Sequence, residues 1–331
     1  MQGARSSGSE ATFKVAAANQ GERNAADAFF STPVRWPSRG PRIRTGTPLK
    51  INAKTRVCAV IGNPVEHSLS PAIHNAAFRE KGLNLCYTAF RVENLPGAVA
   101  GARALGLLGL SVTIPHKVAI LPLLDEVEET ARRIGSVNTV LQKDARLLGY
   151  NSDGMGALRA LREARIALEG KRIVILGSGG VARAIAFTLG KQASPAQMVL
   201  LGIDMRECDT LRADLHGALP LPVQSEPLCR QSLTAHVPDA DLIVHCTPVG
   251  MSPRAGESLL TRDDLKAGQA VFDVVYNPLK TRLLTEAEAA GCRVLPGLEM
   301  FLHQAVFQFE LWTGEEAPVA VMRRILMDSL S

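Results

Sequence analysis

The 331-residue sequence lacks the features of several broad protein classes. Its longest apolar runs, such as residues 105–114, are far shorter than the ~20 residues of a membrane-spanning helix. Its six cysteines form no C-x-x-C pair, so we expect free, mostly buried thiols rather than a disulfide frame. No repeat of solenoid period is present. With 46% hydrophobic and 21% charged residues, the composition is that of a folded protein, and the length suggests two domains.

The excess of positive charge is confined to the first part of the chain. The whole chain has a net charge of +5 and a pI near 9.0. Residues 1–56 contain ten Lys and Arg but three Asp and Glu, so the rest of the chain has a net charge of −2. No RNA-recognition motif, zinc finger or leucine zipper accompanies this charge. We therefore expect neither a nucleic-acid partner nor a membrane partner.

The first 50 residues differ in composition from the rest of the chain. They are rich in Ala, Ser, Gly, Pro and Arg, and they lack both an amphipathic period and the apolar core of a secretory signal. Two interpretations stay open for residues 1–55, a disordered extension or an organelle transit segment. The first interpretation predicts a cytoplasmic protein, and the second a plastid protein.

From Val57 onward the pattern is that of an α/β protein. Short apolar runs alternate with helical segments, an arrangement that favours parallel sheets. In the first half we predict strands at 57–62, 86–92 and 107–114 with helices at 71–81 and 94–106. In the second half we predict strands at 172–176, 198–204, 241–248, 270–278 and 292–297, followed by a helix at 299–312.

A glycine-rich turn predicts a dinucleotide site. Gly177, Ser178, Gly179, Gly180, Val181 and Ala182 fit G-x-G-x-x-A between a predicted strand and a predicted helix. The first glycine permits the tight turn, the second lets a pyrophosphate approach the backbone, and the alanine lets helix and strand pack closely. The anion then binds the free N–H groups at the positive end of the helix.

The next strand ends at residues that bear on the choice of dinucleotide. An acidic side chain there bonds the ribose 2′-hydroxyl of NAD, whereas an arginine accommodates the 2′-phosphate of NADP. Asp204 and Arg206 therefore point to opposite cofactors. A third interpretation is that both residues simply cap a strand end at the surface.

Polar residues also gather in the first half, where a core would be apolar. Ser68 and Ser70 precede a predicted helix; Ser70 alone suffices as its N-cap, which leaves Ser68 without a structural task. Lys117 follows a buried strand, and the segments 134–139 and 149–154 place amide, hydroxyl and carboxylate groups at turns. Taken singly, Lys117 is also explained as a solvated strand-end charge, and Asp153 as a helix cap.

Together these motifs resemble the shikimate dehydrogenase family. The resemblance extends from about Val57 to about Pro318 and comprises eight motifs in family order. They are G-N-P-V-x-H-S-x-S-P, V-T-x-P-x-K, I-G-x-V-N-T, N-x-D-G-x-G, the glycine turn, T-P-x-G-M, Y-x-P-x-x-T and G-L-E-M with H-Q-A. The resemblance implies NADP-dependent, reversible reduction of 3-dehydroshikimate to shikimate. It also implies a discontinuous substrate domain, residues 56–155 and 298–331, around an inserted Rossmann domain, residues 156–297.

The resemblance also implies roles for individual residues. Lys117 and Asp153 become the catalytic pair. The implied substrate pocket consists of Ser68, Ser70, Thr113, Lys117, Asn138, Asp153, Tyr276 and Gln304. The implied cofactor-binding residues are Gly177, Ser178, Gly179, Gly180, Val181, Ala182, Asp204, Met251 and Gly297. None of the seven histidines belongs to a metal-ligand pattern, so no metal is expected. A homodimer is compatible with the family.

Elementary chemistry supports the implied pair. When hydride reaches a ketone, its oxygen becomes alkoxide-like, and an ammonium such as Lys117 can stabilise that charge and donate the proton. In the reverse direction the lysine must be neutral. Burial lowers a lysine pKa and a neighbouring carboxylate raises it, so Asp153 would oppose the effect of burial.

The chain departs from the family pattern at several positions. Ser111 replaces an Asn, Ser152 replaces a Thr, and His245 or Cys246 replaces an Asn. The usual Asn-Arg-Thr after the second Rossmann strand is Gly202-Ile203-Asp204, so the arginine for a 2′-phosphate is missing unless Arg206 or Arg183 substitutes. NAD is therefore a second candidate cofactor. Two alternatives remain open, an NAD-preferring quinate/shikimate dehydrogenase and a non-catalytic dinucleotide or metabolite sensor.

Overall fold

Two six-stranded sheets form the frame of the protein. The computed structural model describes residues 51–330, so residues 1–50 of the predicted extension or transit segment, residues 1–55, lie outside the described residues. The first sheet has the order β2-β1-β3-β5-β6-β4 and the second the order β12-β11-β10-β7-β8-β9. Within residues 51–330, no helix has the length and apolar character needed to cross a membrane.

The first sheet is mixed. Its strands are β1 Arg56–Gly62, β2 Leu85–Arg91, β3 Gly109–Val112, β4 Glu126–Val127, β5 Thr139–Lys143 and β6 Arg146–Tyr150. The helices between them are α1 Ser70–Glu80, α2 Leu95–Leu105, α3 His116–Ala119 and α4 Glu129–Ile134. β1 pairs in parallel with β2 and β3, whereas β5 runs antiparallel to both β3 and β6.

The first sheet departs from the predicted parallel arrangement where β5 pairs with β3 and β6. The β5–β6 hairpin turns at Asp144 and Ala145, which have φ of 49° and 61°. Asn-Gly and Asp-Gly are the usual sequence signals for such a turn, and this turn contains neither. The flanking segments 134–139 and 149–154 are predicted as turns, yet Thr139 begins β5 and Tyr150 ends β6.

The second sheet is parallel throughout, as its alternating pattern predicts. Its strands are β7 Arg172–Leu176, β8 Gln197–Gly202, β9 Val223–Pro227, β10 Leu242–His245, β11 Ala270–Asp273 and β12 Arg293–Pro296. The helices are α5 Ser152–Glu163, α6 Gly180–Gln192, α7 Met205–Ala218, α8 Arg230–His236, α9 Arg282–Ala289, α10 Gly297–Thr313 and α11 Val319–Asp328. Strands β7, β8 and β10 are almost continuously buried because helices cover both faces.

Helix α10 connects the two sheets. Its first residue, Gly297, lies against the end of β11, where an added Cβ would come within 2.3 Å of the Val274 carbonyl oxygen. Its last turn reaches the first sheet, where the Trp312 indole N–H donates to the Val140 carbonyl at 3.0 Å. Phe309 packs on Phe78 of α1, with ring centroids 5.6 Å apart.

Helix α5 makes two close approaches that glycine permits. A Cβ at Gly154 would lie 1.9 Å from Thr188 Oγ1 and 2.5 Å from the Ala184 carbonyl oxygen of α6. A Cβ at Gly156 would lie 2.8 Å from the Met300 carbonyl oxygen of α10. The helix therefore lies wedged between α6 and α10, and its first turn is held in a fixed position.

We predict that Gly154→Ala lowers the free energy of unfolding by about 1–3 kcal/mol, because backbone atoms of α6 cannot yield to the added methyl group. The matched control is Gly101→Ala in α2, where an added Cβ meets no atom within 4 Å. The control should be neutral or stabilising by up to about 1 kcal/mol, since alanine is the better helix former. Chemical denaturation of both variants measures the difference, and equal stabilities would contradict this account of the packing.

Candidate active site

An ion pair between Lys117 and Asp153 lies at the centre of the candidate site. Lys117 belongs to the single turn of α3 that follows β3, and Asp153 lies in the first turn of α5. Lys117 Nζ is 2.9 Å from Asp153 Oδ2. The lysine side chain is 27% exposed and the aspartate side chain 3%. The pair thus presents its cation toward solvent and buries its anion.

The backbone around Lys117 is fixed on two sides. The Lys117 carbonyl accepts a hydrogen bond of 2.8 Å from the Val137 N–H. The neighbouring His116 ring is buried, and its Nε2 lies 2.9 Å from the Val92 carbonyl oxygen. A lysine held in this way loses little further freedom when its ammonium engages a ligand.

Asp153 accepts hydrogen bonds from three parts of the chain. Besides Lys117 on Oδ2, its Oδ1 accepts from Asn138 Nδ2 at 2.9 Å and from Gln304 Nε2 on α10. The Asn151 side chain caps α5 by accepting from the Asp153 N–H at 2.9 Å. The carboxylate is therefore aimed by its own backbone and by donors from three segments.

The orientation of the Asn138 amide is set by its neighbours. Its Oδ1 accepts from the Ser152 N–H at 2.8 Å and from the Thr139 hydroxyl at 2.8 Å. Because the oxygen is occupied by donors, the NH2 group faces Asp153. The predicted polar turns thus meet at one carboxylate, Asp153.

Ser68, Ser70 and Thr113 line the edge where β1 and β3 end. Ile61 pairs with Val112 in the parallel register, so the chain segments after both strands leave the sheet side by side. The three side chains are half-buried. Their hydroxyl groups thus lie at the carboxyl edge of the sheet, the same edge as Lys117.

The expected structural roles of the two serines are wrong. Leu69, not Ser70, occupies the N-cap position of α1, and no side chain caps that helix. Ser68 does have a structural contact, since its Oγ accepts from the Ser70 N–H at 3.3 Å. A serine hydroxyl can accept a hydrogen bond from the backbone N–H two residues later, and Ser68 does so for the first residue of α1.

Tyr276 comes to the site from the second sheet. The side chain follows β11, is 39% exposed, and stacks on Phe301 with ring centroids 5.2 Å apart. Partial burial raises the pKa of the Tyr276 hydroxyl, and the positive charge of Lys117 opposes this shift. The charge of Lys117 therefore acts on the Tyr276 phenol.

The glycine turn has the geometry of a phosphate cradle. Gly177 has φ of +112°, a conformation that glycine adopts without strain. Gly179 is the N-cap of α6, and no side chain caps this 13-residue helix. A Cβ at Gly179 or Gly180 would meet no atom within 4 Å, so an anion has access to the first N–H groups. The residues present therefore fit the pyrophosphate of a dinucleotide.

The other residues of the turn are held by the protein itself. Ser178 Oγ donates to Glu207 Oε2 at 2.8 Å, Val181 is half-buried, and Ala182 is buried in the core of the second sheet. Met251 is exposed on the loop after β10. Because β10 pairs in parallel with β7, Met251 and the glycine turn follow strands that end at the same edge of the sheet.

Asp204 is the N-cap of α7. Its Oδ1 accepts from the N–H groups of Arg206 at 2.9 Å and Glu207 at 3.3 Å. Residues 203–206 line a shallow depression at the end of β8. Asp204 thus has the capping function that is one of the three interpretations, and its second oxygen takes no part in the cap.

The Arg183 guanidinium, a candidate for the missing arginine of a 2′-phosphate site, already has three protein partners. It donates to the carbonyl oxygens of Ile134 at 2.7 Å and Arg133 at 2.6 Å, and pairs with Asp214. Arg206 is exposed beside Asp204 and stays a candidate.

A row of buried, hydrogen-bonded side chains runs from β2 to α10, and the sequence motifs do not predict it. Tyr87 OH donates to Ser111 Oγ at 2.6 Å, and Ser111 Oγ donates to Gln308 Oε1 at 2.9 Å. Gln308 in turn donates to Thr139 Oγ1 at 3.0 Å. Ser111, a departure from the family Asn, therefore joins β2 to α10. Gln308 lies one turn after Gln304 on α10, a spacing that could have indicated a shared face.

A cluster of Glu163, Glu299 and His303 is also not evident from the histidine spacing. The nearest ligand atoms of these three residues lie within 4.8 Å of one another. Arg323 donates to Glu299 Oε2 at 2.7 Å and to Glu163 Oε2 at 3.2 Å. A guanidinium thus already supplies the positive charge between the two carboxylates.

Comparisons with known proteins identify two family models that match the chain. The family model described as shikimate dehydrogenase substrate binding domain matches residues 60–140. The model described as shikimate 5′-dehydrogenase C-terminal domain matches residues 297–327. The two matches include Lys117 and Asn138 in one case and Gln304 in the other.

Similar proteins cover nearly all of the described chain. The shikimate dehydrogenase (NADP(+)) of Moorella thermoacetica is 48% identical over 285 residues, which are 85% of this chain and 96% of that protein. The shikimate 5-dehydrogenase of Listeria monocytogenes, solved with shikimate and NAD, is 35% identical with a TM-score of 0.81, covering 85% of this chain and 99% of that one. A quinate dehydrogenase of Corynebacterium glutamicum, solved with NAD, is 31% identical with a TM-score of 0.77, covering 83% and 99%.

His74, on α1, generates a prediction about pH. Its ring stacks on Tyr87 with centroids 4.5 Å apart, and neither ring nitrogen has a hydrogen-bond partner within residues 51–330. Burial lowers the pKa of His74 to about 3, and the Gln308 amide opposes the shift. As the pH falls below about 6.5, the ordinary histidine pKa, the unfolded chain therefore binds a proton that the folded chain refuses.

We predict that the contribution of His74 to stability is complete above about pH 6.5 and is lost as the pH falls toward 3. Its slope reaches about 1.4 kcal/mol per pH unit. His74→Phe should remove this slope in chemical denaturation at pH 7, 6 and 5. His216→Gln, at an exposed position of α7, is the control and should keep the wild-type slope. A His74→Phe variant with the wild-type slope would show that another group titrates.

Proposed function

The chain belongs to the shikimate dehydrogenase family and is an NADP-linked oxidoreductase that acts on the CH–OH group of shikimate; we propose that Lys117 and Asp153 carry out its proton transfer. The observation that supports these roles is the 2.9 Å contact between Lys117 Nζ and the buried Asp153 carboxylate. The substrate is shikimate in one direction and 3-dehydroshikimate in the other.

We propose that the glycine turn, Met251 and Gly297 hold the dinucleotide. A nicotinamide cofactor, when bound, supplies or accepts the hydride, so the protein has to place the substrate carbon and manage one proton. The open N–H groups at Gly179 and Gly180 suit the pyrophosphate. These residues leave Lys117, Asp153 and their neighbours free for the substrate.

Lys117 is the proposed proton donor and acceptor. In the reducing direction the substrate carbonyl oxygen gains negative charge and takes a proton from the Lys117 ammonium. In the oxidising direction the neutral amine removes the proton of the substrate hydroxyl. Asp153 holds the lysine in place and, through its own hydrogen bonds to Asn138 and Gln304, stays fixed while the proton moves.

The remaining polar groups suit a polyol carboxylate. We propose that Ser68, Ser70 and Tyr276 contact the substrate carboxylate, and that Thr113, Asn138 and Gln304 contact its hydroxyl groups. Each hydroxyl that the pocket buries needs a partner, because an unpaired buried polar group costs about 1–3 kcal/mol. The half-exposed Tyr276 and the half-buried serines lie at the open side, where a charged carboxylate keeps some contact with water.

An NAD-preferring quinate/shikimate dehydrogenase is the second candidate function. Gly202-Ile203-Asp204 offers no arginine at the end of β8, and Arg183 is bound to other groups. Asp204 retains one oxygen that could meet a ribose hydroxyl. Among the similar structures, the Listeria and Corynebacterium proteins were solved with NAD.

The alternative of a non-catalytic sensor does not fit the site. A sensor has no need of a proton-transferring group, whereas here a partly exposed ammonium is paired with a carboxylate that three side chains position. The absorbance of reduced nicotinamide at 340 nm, followed with shikimate and either cofactor, distinguishes the two functions directly.

We also propose roles for the two domains, an assembly and a location. We assign substrate binding to residues 56–155 with 298–331, and nucleotide binding to residues 156–297, because the first sheet carries Lys117 and the second carries the glycine turn. A homodimer and a cytoplasmic location, with a plastid location as the alternative, follow from the family resemblance and the composition alone.

We predict that Lys117→Ala lowers kcat by about 10²–10⁴-fold, since it removes the proton donor from the reaction. The KM for shikimate should change much less, because the serines, Asn138 and Gln304 remain. Lys143→Ala is the matched control, an exposed lysine at the end of β5, and should keep the wild-type kcat. Steady-state kinetics in both directions measures these values; a Lys117→Ala enzyme with nearly wild-type kcat would refute the assignment.

We predict that Asp204→Ser weakens NAD binding more than NADP binding if Asp204 contacts the ribose. Serine is chosen because it keeps an N-cap acceptor for α7 while removing the carboxylate. Asp204→Ala removes both and should also lower stability by about 0.5–2 kcal/mol. Specificity constants with NAD and NADP, measured for both variants, separate cofactor choice from capping; equal effects on the two cofactors would exclude ribose contact.

A further inference from the structure

A buried His245 lies between two loops of the candidate site without belonging to either. It ends β10, next to Asp273 at the end of β11. Its Nδ1 is 2.9 Å from Asp273 Oδ1, and its Nε2 bonds Thr247 Oγ1. The side chains of His245 and Asp273 are almost completely shielded from solvent. A polar chain buried this deeply is costly unless each member has partners.

The hydrogen bonds around His245 form one directed chain. Asp273 Oδ1 also accepts from the Val275 N–H at 3.0 Å, and Oδ2 accepts from the Thr281 hydroxyl at 2.6 Å. Because the carboxylate only accepts, Nδ1 donates to Asp273, and we assign Nε2 as the acceptor of the Thr247 hydroxyl. Thr247 Oγ1 accepts in turn from the Val249 N–H at 3.3 Å.

This chain of hydrogen bonds joins the two loops that carry Met251 and Tyr276, proposed to contact the cofactor and the substrate. Residues 247–251 include Met251, and residues 274–281 include Tyr276 and the Thr281 cap of α9. A second contact supports the join, since the Ser252 N–H donates to the Asn277 carbonyl at 3.0 Å. The Thr247 methyl also lies 3.3 Å from where a Cβ of Gly177 would be. His245 thus ties the glycine turn, the Met251 loop and the Tyr276 loop to one carboxylate.

We propose that His245 is a positioning residue that holds the Met251 loop, through Thr247, in the conformation that binds the nicotinamide dinucleotide. The proposal rests on the proposed function for the identity of that ligand. His245 does not contact the Lys117–Asp153 pair, so its effect falls on cofactor affinity and not on proton transfer. Its loss leaves Thr247 without the acceptor that sets its orientation.

The test is a double-mutant cycle on the full chain, with the Kd for NADP+ measured by isothermal titration calorimetry in the absence of substrate. His245→Leu places an apolar side chain of similar size there and removes the ring nitrogen that bonds Thr247. Thr247→Val removes the same bond from the other side. Each single variant should raise the Kd about 3- to 10-fold, the range that one hydrogen bond accounts for.

The double variant should bind NADP+ no more weakly than either single variant, because both substitutions delete the same bond between His245 and Thr247. Thr247→Ser keeps the hydroxyl and should bind NADP+ like the wild type. Thr234→Val, at an exposed threonine of α8, is the control for the change of residue type. In steady-state kinetics the KM for NADP should rise while kcat stays within about twofold.

Unchanged Kd values in folded His245→Leu and Thr247→Val, or strictly additive effects in the double variant, would overturn the proposal. If His245→Leu does not fold, the comparison of Thr247→Val with Thr247→Ser decides the question. A wild type that binds NADP+ but does not oxidise shikimate would refute the proposed function alone, since calorimetry still tests the role of His245. A wild type that binds neither NADP+ nor NAD+ would overturn both.

Discussion

The arrangement of the site depends on satisfying one buried carboxylate. Asp153 is removed from water at the start of α5, and a buried charge is tolerated only where charged and polar partners surround it. The partners come from three places in the sequence, Lys117 after β3, Asn138 before β5 and Gln304 on α10. Because the buried charge of Asp153 needs these partners, the proposed reactive Lys117 and helix α10 both lie against the same carboxylate.

Close packing of helices supports that point. Gly154 and Gly156 allow α5 to lie directly against α6 and α10, so Asp153 and Gln304 belong to helices that cannot drift apart without opening the core. A buried chain of hydrogen bonds through Tyr87, Ser111 and Gln308 also ties the first sheet to α10.

The parts of the fold that follow from periodicity and glycine chemistry could be predicted from the sequence. The parallel second sheet and the turn at Gly177 are such parts, since an apolar strand followed by a glycine turn and a helix has few other solutions. The β5–β6 hairpin could not be predicted, because its Asp-Ala turn carries no glycine signal. For the site, the family motifs predicted that Lys117, Asn138 and Asp153 belong to one substrate pocket. Contacts that depend on tertiary packing, such as Arg183 turning to the carbonyl oxygens of α4 and Ser68 bonding a helix N–H, have no trace in local sequence.

The spacing of the Asp153 partners along the chain has a consequence for biosynthesis. Lys117 and Asn138 precede Asp153 by 36 and 15 residues, whereas Gln304 follows it by 151 residues. A growing polypeptide on the ribosome therefore exposes the lysine, the asparagine and the aspartate long before the glutamine is synthesised. Until α10 emerges and docks, the first sheet also lacks Trp312 against Val140, so the nascent lobe has an incomplete interior. Asp153 thus gains its last donor only after α10 has been synthesised and has docked. A chain that ends anywhere within the second sheet lacks Gln304 as a donor to Asp153.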